Sequence, residues 1–185
     1  MKLILASASP RRKELLKGLA ENFEIIPAAG EERADKSLPP EQIACALAES
    51  KCREVFDKNE NAVVIGCDTI VYFNGKVLGK PKSWGEAVET LTALSGKTHS
   101  VYTGVAIYSP RKRLVRYDKT EVEFNELSRE FINNYVNGGS PMDKAGCYGI
   151  QDGGVVKSYT GSYTNVVGLP VELVGEMLKE VLGDE

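Results

Sequence analysis

Apolar and polar positions along the chain fall into short blocks whose period changes repeatedly. Leu3, Ile4 and Leu5 form an apolar strand, residues 6–9 a small-residue loop, and Pro10 opens a helix behind the N-cap Ser9, where its missing N–H costs nothing. Residues 23–27 (FEIIP) read as a second strand, and residues 28–40 as a loop holding Glu31, Glu32, Arg33 and Asp35. Behind Pro39-Pro40, the positions of Ile43, Leu47, Val55 and Phe56, with Ala44, Ala48 and Cys52 between, fit the buried stripe of a long helix. Residues 62–67 (AVVIGC) are a continuous apolar run of the kind buried on both faces of a sheet, and Asp68 ends it. Residues 70–73 and 76–78 flank Asn74-Gly75, a strong hairpin signal.

In the second half, Ser83 caps a helix through about residue 94, with Gly96 as its stop. Residues 99–108 and 113–124 read as strands around Ser109-Pro110, and residues 128–136 as a helix. A glycine-rich stretch, residues 143–154, precedes strand-like residues 155–159 and 164–167. Pro170 begins the last helix, with Leu173, Val174, Met177, Leu178 and Val181 on one face. Strands and helices mix, with at least two hairpins, which predicts an α/β protein with a mixed sheet rather than a strictly alternating doubly wound one.

A length of 185 residues suits one domain, or one domain with a lobe. The net charge of −3 argues against a general nucleic-acid or membrane binder, so any basic patch is local. Cys45, Cys52, Cys67 and Cys147 form no C-x-x-C pair, as expected in a reducing compartment. The first apolar stretch is too short for a signal peptide and no run approaches a membrane span, so the expectation is cytoplasmic. His99 is the sole histidine, which excludes histidine-rich zinc sites and leaves any Ser-His-Asp or Cys-His catalysis to that one residue. Between a turn and an apolar strand, it is expected to be structural, and any metal to be held by oxygens, as magnesium or manganese.

Charge marks where chemistry could lie. Arg11, Arg12 and Lys13 occupy the first turn of the first helix, unfavourable against its dipole by a few tenths of a kcal/mol each unless an anion sits there. A phosphate would reverse that sign and meet the Ser7 and Ser9 hydroxyls; the alternative is a capped surface helix with its cations in water. Asp68 and its neighbour Thr69 stand where a strand ends, either a ligand crevice or an ordinary turn. Lys80 and Lys82 bracket Pro81, favourable in water or beside a multiply charged anion. With Lys51 they supply cation, while Glu32 and Asp68 could hold magnesium, and together these suit a triphosphate. There is no G-x-x-x-x-G-K-[ST], and no G-x-G-x-x-G follows a strand, so a P-loop enzyme is not expected.

Six blocks in order, LASASPRRKELL (5–16), GCDTIV (66–71), GKPK (79–82), SGKTHSVYTGVAI (95–107), DKAGCYGIQ (143–151) and VVGLP (166–170), resemble the Maf family of nucleoside triphosphate pyrophosphatases, nearest the branch that acts on dTTP and UTP. The resemblance implies one Maf-like domain over residues 1–185, with a cleft between two lobes. It implies a mixed twisted sheet flanked by helices, similar to the inosine triphosphate pyrophosphatase (Maf/Ham1) fold, and a cytoplasmic homodimer. The implied activity uses Mg²⁺ or Mn²⁺ to cleave a pyrimidine nucleoside triphosphate to monophosphate and pyrophosphate.

By position, the family's catalytic carboxylate falls on Asp68, its specificity-linked residues on Arg12, Thr69 and Gln151, and its other polar site residues on Ser7, Glu32, Lys51, Lys80 and Lys82. Cys147 and Asp152 stand where alanine and glycine are usual. In this reading water attacks the α-phosphorus, Asp68 takes the proton, Glu32 and Asp68 hold the metal, and the cations offset phosphate charge. Two other readings compete: a phosphohydrolase releasing orthophosphate, and a nucleotide-sensing regulator of cell division without turnover.

Overall fold

The computed structural model describes residues 1–30 and 34–183. In chain order the elements are β1 (Leu3–Leu5), α1 (Pro10–Lys17), β2 (Glu24–Ile25), α2 (Pro40–Phe56), β3 (Val63–Phe73), β4 (Lys76–Leu78), α3 (Trp84–Leu94), β5 (Thr98–Tyr108) and β6 (Arg113–Phe124). Then follow α4 (Arg129–Asn137), 3₁₀ turns at Ser140–Asp143 and Ala145–Cys147, β7 (Val156–Thr160), α5 (Tyr163–Val167) and α6 (Val171–Leu182).

Among the described residues, seven strands form one sheet in the order β2-β1-β3-β5-β6-β7, with β4 also on β3. β1 runs parallel to β2 and β3, and the other pairs are antiparallel, so the sheet is mixed as the pattern predicts. Residues 62–67 and 70–73, expected as separate strands, are one strand, β3, because β5 pairs with it without interruption from Val64↔Tyr108 to Tyr72↔Ser100. Asp68 is therefore mid-strand, not strand-terminal. Residues 164–167 are also not a strand: Ser162 caps α5 by accepting the Asn165 N–H. The β-branched residues there argue for a strand, but the cap and the buried Asn165 prevail.

Alternation along β3 and β5 sends successive side chains to opposite faces. α2 covers one face, packing on Val64, Ala106 and Tyr108. On the other face, α6 and the end of α1 cover Val63, Ile65, Val105 and Ile107 near β1, while α3 and α4 cover Val71, Val101, Val122 and Phe124 near β4. His99 is structural, as expected. It is buried between Phe124 and Tyr148, with Nε2 2.8 Å from the Tyr148 hydroxyl. The four cysteines are free thiols. Among the described residues, no helix is long and apolar enough to cross a membrane.

One irregularity positions the site. β1 pairs with β3 as far as Leu5↔Ile65, and β4 begins to pair at Val71↔Leu78. Between them residues 66–70 of β3 have β5 on one side and, among the described residues, no strand on the other. This gap lets side chains from both faces of β3 reach one cleft.

Candidate active site

Asp68 points to the α2 face and stands directly opposite Gly104 of β5. A Cβ at Gly104 would fall on the backbone of Ala44, and one at Gly66 on that of Ala48 and Cys52. Two glycines thus let the α2 backbone lie directly on the sheet. That approach brings Lys51 of α2 to Asp68, with Nζ 2.5 Å from Oδ1 and side chains only 18% and 10% exposed.

Thr69 points to the opposite face, where Arg12 reaches it from the first turn of α1. The Arg12 guanidinium donates from Nη2 to Thr69 Oγ1 at 3.1 Å, from Nε to the Gly168 carbonyl at 2.7 Å and from Nη1 to Ser7 Oγ at 3.3 Å. Gly168 has φ +124°, a conformation that favours glycine, and turns its carbonyl toward Arg12 after α5. Behind Thr69 lie Thr103 and Asn165, both fully buried. Asn165 Nδ2 in turn donates to the Val101 carbonyl and to Thr120 Oγ1.

The cleft measures about 400 Å³ and is lined by Arg12, Lys51, Asp68, Thr69, Lys80 and Gln151. Small-molecule sites run from roughly 300 to 1,000 Å³. Arg11 and Asp143 close its mouth with an ion pair at 3.0 Å, and Lys144 holds Asp143 at 2.8 Å. Gln151 sits in a turn closed by the Asp152 N–H on the Gly149 carbonyl at 3.0 Å. Asp152 Oδ2 accepts from the Tyr135 hydroxyl at 2.5 Å and from Ser140 at 2.9 Å, and Tyr135 accepts from the Gly149 N–H. Burial pushes the Cys67 thiol up to about 11 despite the opposing Arg12 charge, so the residue beside Asp68 stays protonated and is no nucleophile.

Six of the expected site residues therefore share the cleft. Ser7 stands behind it, buried, and holds Arg12. Lys82 is not among the lining residues; its backbone N–H donates to Glu86 Oε2 at 2.9 Å at the start of α3. Glu32 lies outside the described residues. The Arg11–Asp143 bridge, the Thr103–Asn165 pair and the Asp152 cluster were not anticipated. The only signal for Thr103 and Asn165 is a polar residue inside an apolar run.

Asp68 gives one carboxylate, and the described residues contain no group of three His, Cys, Asp or Glu able to cage a metal. That donor set does not make a closed zinc site. It fits a magnesium or manganese ion that takes one or two carboxylates and completes its shell with water and phosphate oxygens.

Sheet and cleft together define an α/β protein with a cation-lined cleft set in a gap between strands. The structure of the Staphylococcus aureus Ham1 protein shares this fold, with a TM-score of 0.53 at 15% identity over 97% of this chain and 99% of that one. The sequence profile described as Maf-like protein matches residues 2–181, and the chain belongs to that family. A dTTP/UTP pyrophosphatase of Bacillus cereus (strain G9842) is 47% identical over 181 residues, covering 97% of this chain and 95% of the relative. One from Aquifex aeolicus (strain VF5) is 44% identical over 185 residues, covering 98% and 96%.

Proposed function

We propose that this protein hydrolyses dTTP and UTP to the nucleoside monophosphate and pyrophosphate. The observation that carries the reading is the gap in β3, where Asp68 with Lys51 from one face and Thr69 with Arg12 from the other open into one cleft. The names of the two relatives, at 44–47% identity over nearly the whole chain, support the choice of substrate.

In this mechanism the triphosphate lies along the cationic wall, its charge offset by Arg12, Lys51 and Lys80. Asp68 accepts the proton of the water that attacks the α-phosphorus, and Lys51 holds the carboxylate in place. Ser7 fixes the Arg12 fork from behind. Thr69 and Gln151 face the pyrimidine, where an amide can both donate and accept. Asp68 and Glu32 would hold magnesium or manganese, which when bound supplies charge neutralisation at the pyrophosphate leaving group. The two ends of the sheet act as lobes of one domain, and the reading includes a cytoplasmic homodimer that binds neither nucleic acid nor membrane.

The test is incubation of the purified protein with Mg²⁺ and a panel of nucleoside triphosphates, with monophosphate, pyrophosphate and orthophosphate followed separately. Pyrophosphate with UMP or dTMP, little turnover of ATP or GTP, and a kcat lowered on the order of 10²- to 10⁴-fold in folded Asp68→Asn are expected. Orthophosphate as the product would overturn the chemistry. Saturable binding without product would favour the sensor.

A further inference from the structure

The hydroxyl of Thr69 belongs to a hydrogen-bond chain whose direction is set at its far end. The main-chain carbonyl of Asn165 can only accept, so the single hydroxyl proton of Thr103, 2.9 Å away, goes to it. Thr103 Oγ1 then meets Thr69 Oγ1, also at 2.9 Å, as an acceptor, so the single proton of Thr69 goes to Thr103. On the other side of Thr69 stands Arg12 Nη2 at 3.1 Å, which can only donate. Thr69 is left with its proton committed, one lone pair occupied and one lone pair for the cleft. Thr103 and Asn165 are both 0% exposed, so solvent does not compete to reverse the chain.

We propose that Thr103 is a positioning residue that holds Thr69 as a permanent hydrogen-bond acceptor in the cleft, and so selects a substrate base presenting a ring N–H there. The inference rests on the proposed function, in which Thr69 faces the base. Uracil and thymine carry that donor at N3, flanked by carbonyl oxygens. Cytosine in the same pose presents a bare N3, two acceptors facing each other without a proton. Arg12 beside Thr69 supplies the fixed donor that one of the flanking carbonyls needs. A free threonine hydroxyl could turn and serve either base, whereas one locked from behind cannot.

The experiment measures kcat and KM for UTP and CTP with the wild type, Thr103→Val and Thr103→Ser, alongside thermal unfolding. Valine frees the Thr69 proton, and the UTP:CTP ratio of kcat/KM is expected to fall by about 5- to 100-fold, chiefly through a lower KM for CTP. Serine restores the chain and should keep the ratio within about threefold of the wild type. A wild-type ratio in folded Thr103→Val, or an equal loss in Thr103→Ser, overturns the inference. Valine removes a buried hydrogen bond, although the Asn165 carbonyl keeps the Gly168 N–H at 3.1 Å, so a second measurement needs no variant. The wild type with N3-methyluridine triphosphate, which keeps both carbonyls but has no N3 proton, should show kcat/KM at least about tenfold below UTP. Equal turnover of the two overturns the inference. Absence of pyrophosphate from UTP in the wild type overturns the function itself, and this inference with it.

Discussion

Asp68 and Gly104 face each other across β3 and β5, and the space that a side chain on Gly104 would fill is taken by the backbone of α2. The carboxylate meets Lys51 because the strand beside it has no side chain there. Gly104→Ala should therefore push α2 off the sheet, costing about 1–3 kcal/mol of stability. Displacement of Lys51 by a fraction of an ångström to one ångström should lower kcat/KM by about 10- to 100-fold. Urea unfolding together with steady-state kinetics checks both. Gly153→Ala, where an added Cβ meets nothing within 4 Å, is the control and should change stability by less than about 0.5 kcal/mol.

His99 links stability to pH. Burial lowers its pKa from 6.5 to about 4, against a small upward pull from Glu121. The unfolded chain binds a proton near pH 6.5 and the folded chain does not until about pH 4. The stability from a neutral His99 is thus complete above pH 6.5 and lost as pH falls from 6.5 toward 4, by about 3 kcal/mol in all. His99→Gln, which keeps a polar partner for Tyr148 without titrating, should flatten that part of the curve. Unfolding free energies from pH 7 to 4 decide the matter, and parallel curves for the two proteins would exclude this role.

Asp152 ties down the turn that carries Gln151, through Tyr135 and Ser140. Removing the carboxylate leaves the proton of a part-buried tyrosine hydroxyl without its acceptor, although the oxygen keeps the Gly149 N–H, and loosens the turn. Asp152→Gly should raise KM for UTP by about 3- to 10-fold with a smaller change in kcat, and cost about 1–3 kcal/mol. Asp152→Asn keeps an acceptor for Tyr135 and should recover most of the loss. The split between KM and kcat in the two variants is the measurement.

The Arg11–Asp143 pair joins α1 to the Ser140–Asp143 turn across the cleft mouth. Asp143 is largely exposed, so the pair contributes only about 0–1 kcal/mol to stability. Its consequence is electrostatic, since Asp143 sits at the entrance for a polyanion and occupies a cation. Asp143→Asn should lower KM for UTP by about 2- to 5-fold at low ionic strength, with the difference shrinking as salt is added. A KM independent of both the substitution and the salt would count against entry past this pair.

The helices were legible because their signals are local. Ser9, Ser83 and Ser128 each accept an N–H in the first turn of the helix they precede, and Asn74 and Gly75, with φ of 48° and 76°, form the turn expected between β3 and β4. Asp68 as a strand end and residues 164–167 as a strand were misread for the opposite reason. The first depends on a register supplied by β5, some forty residues along the chain, and the second on where the Asn165 side chain is buried. Among the site residues, Arg12, Lys51, Lys80 and Asp68 stood out by charge, Ser7 and Thr69 by a hydroxyl beside a charged position, and family resemblance added Gln151. Thr103 could not be singled out, because its importance lies in a carbonyl it meets only after folding.

By itself the sequence determined the α/β class, the capped helices, the local concentration of cations and the presence of a single histidine. These follow from residue type and short-range periodicity, which act before any tertiary contact. Only the tertiary structure decided that β1 stops and β4 starts on either side of residues 66–70, that α2 rests on two glycines, and that Thr69 is held as an acceptor. Each of these is a relation between segments far apart in the chain. Such relations are set by strand register, close packing and the one-way direction of a buried hydrogen bond, none of which a local stretch of sequence contains.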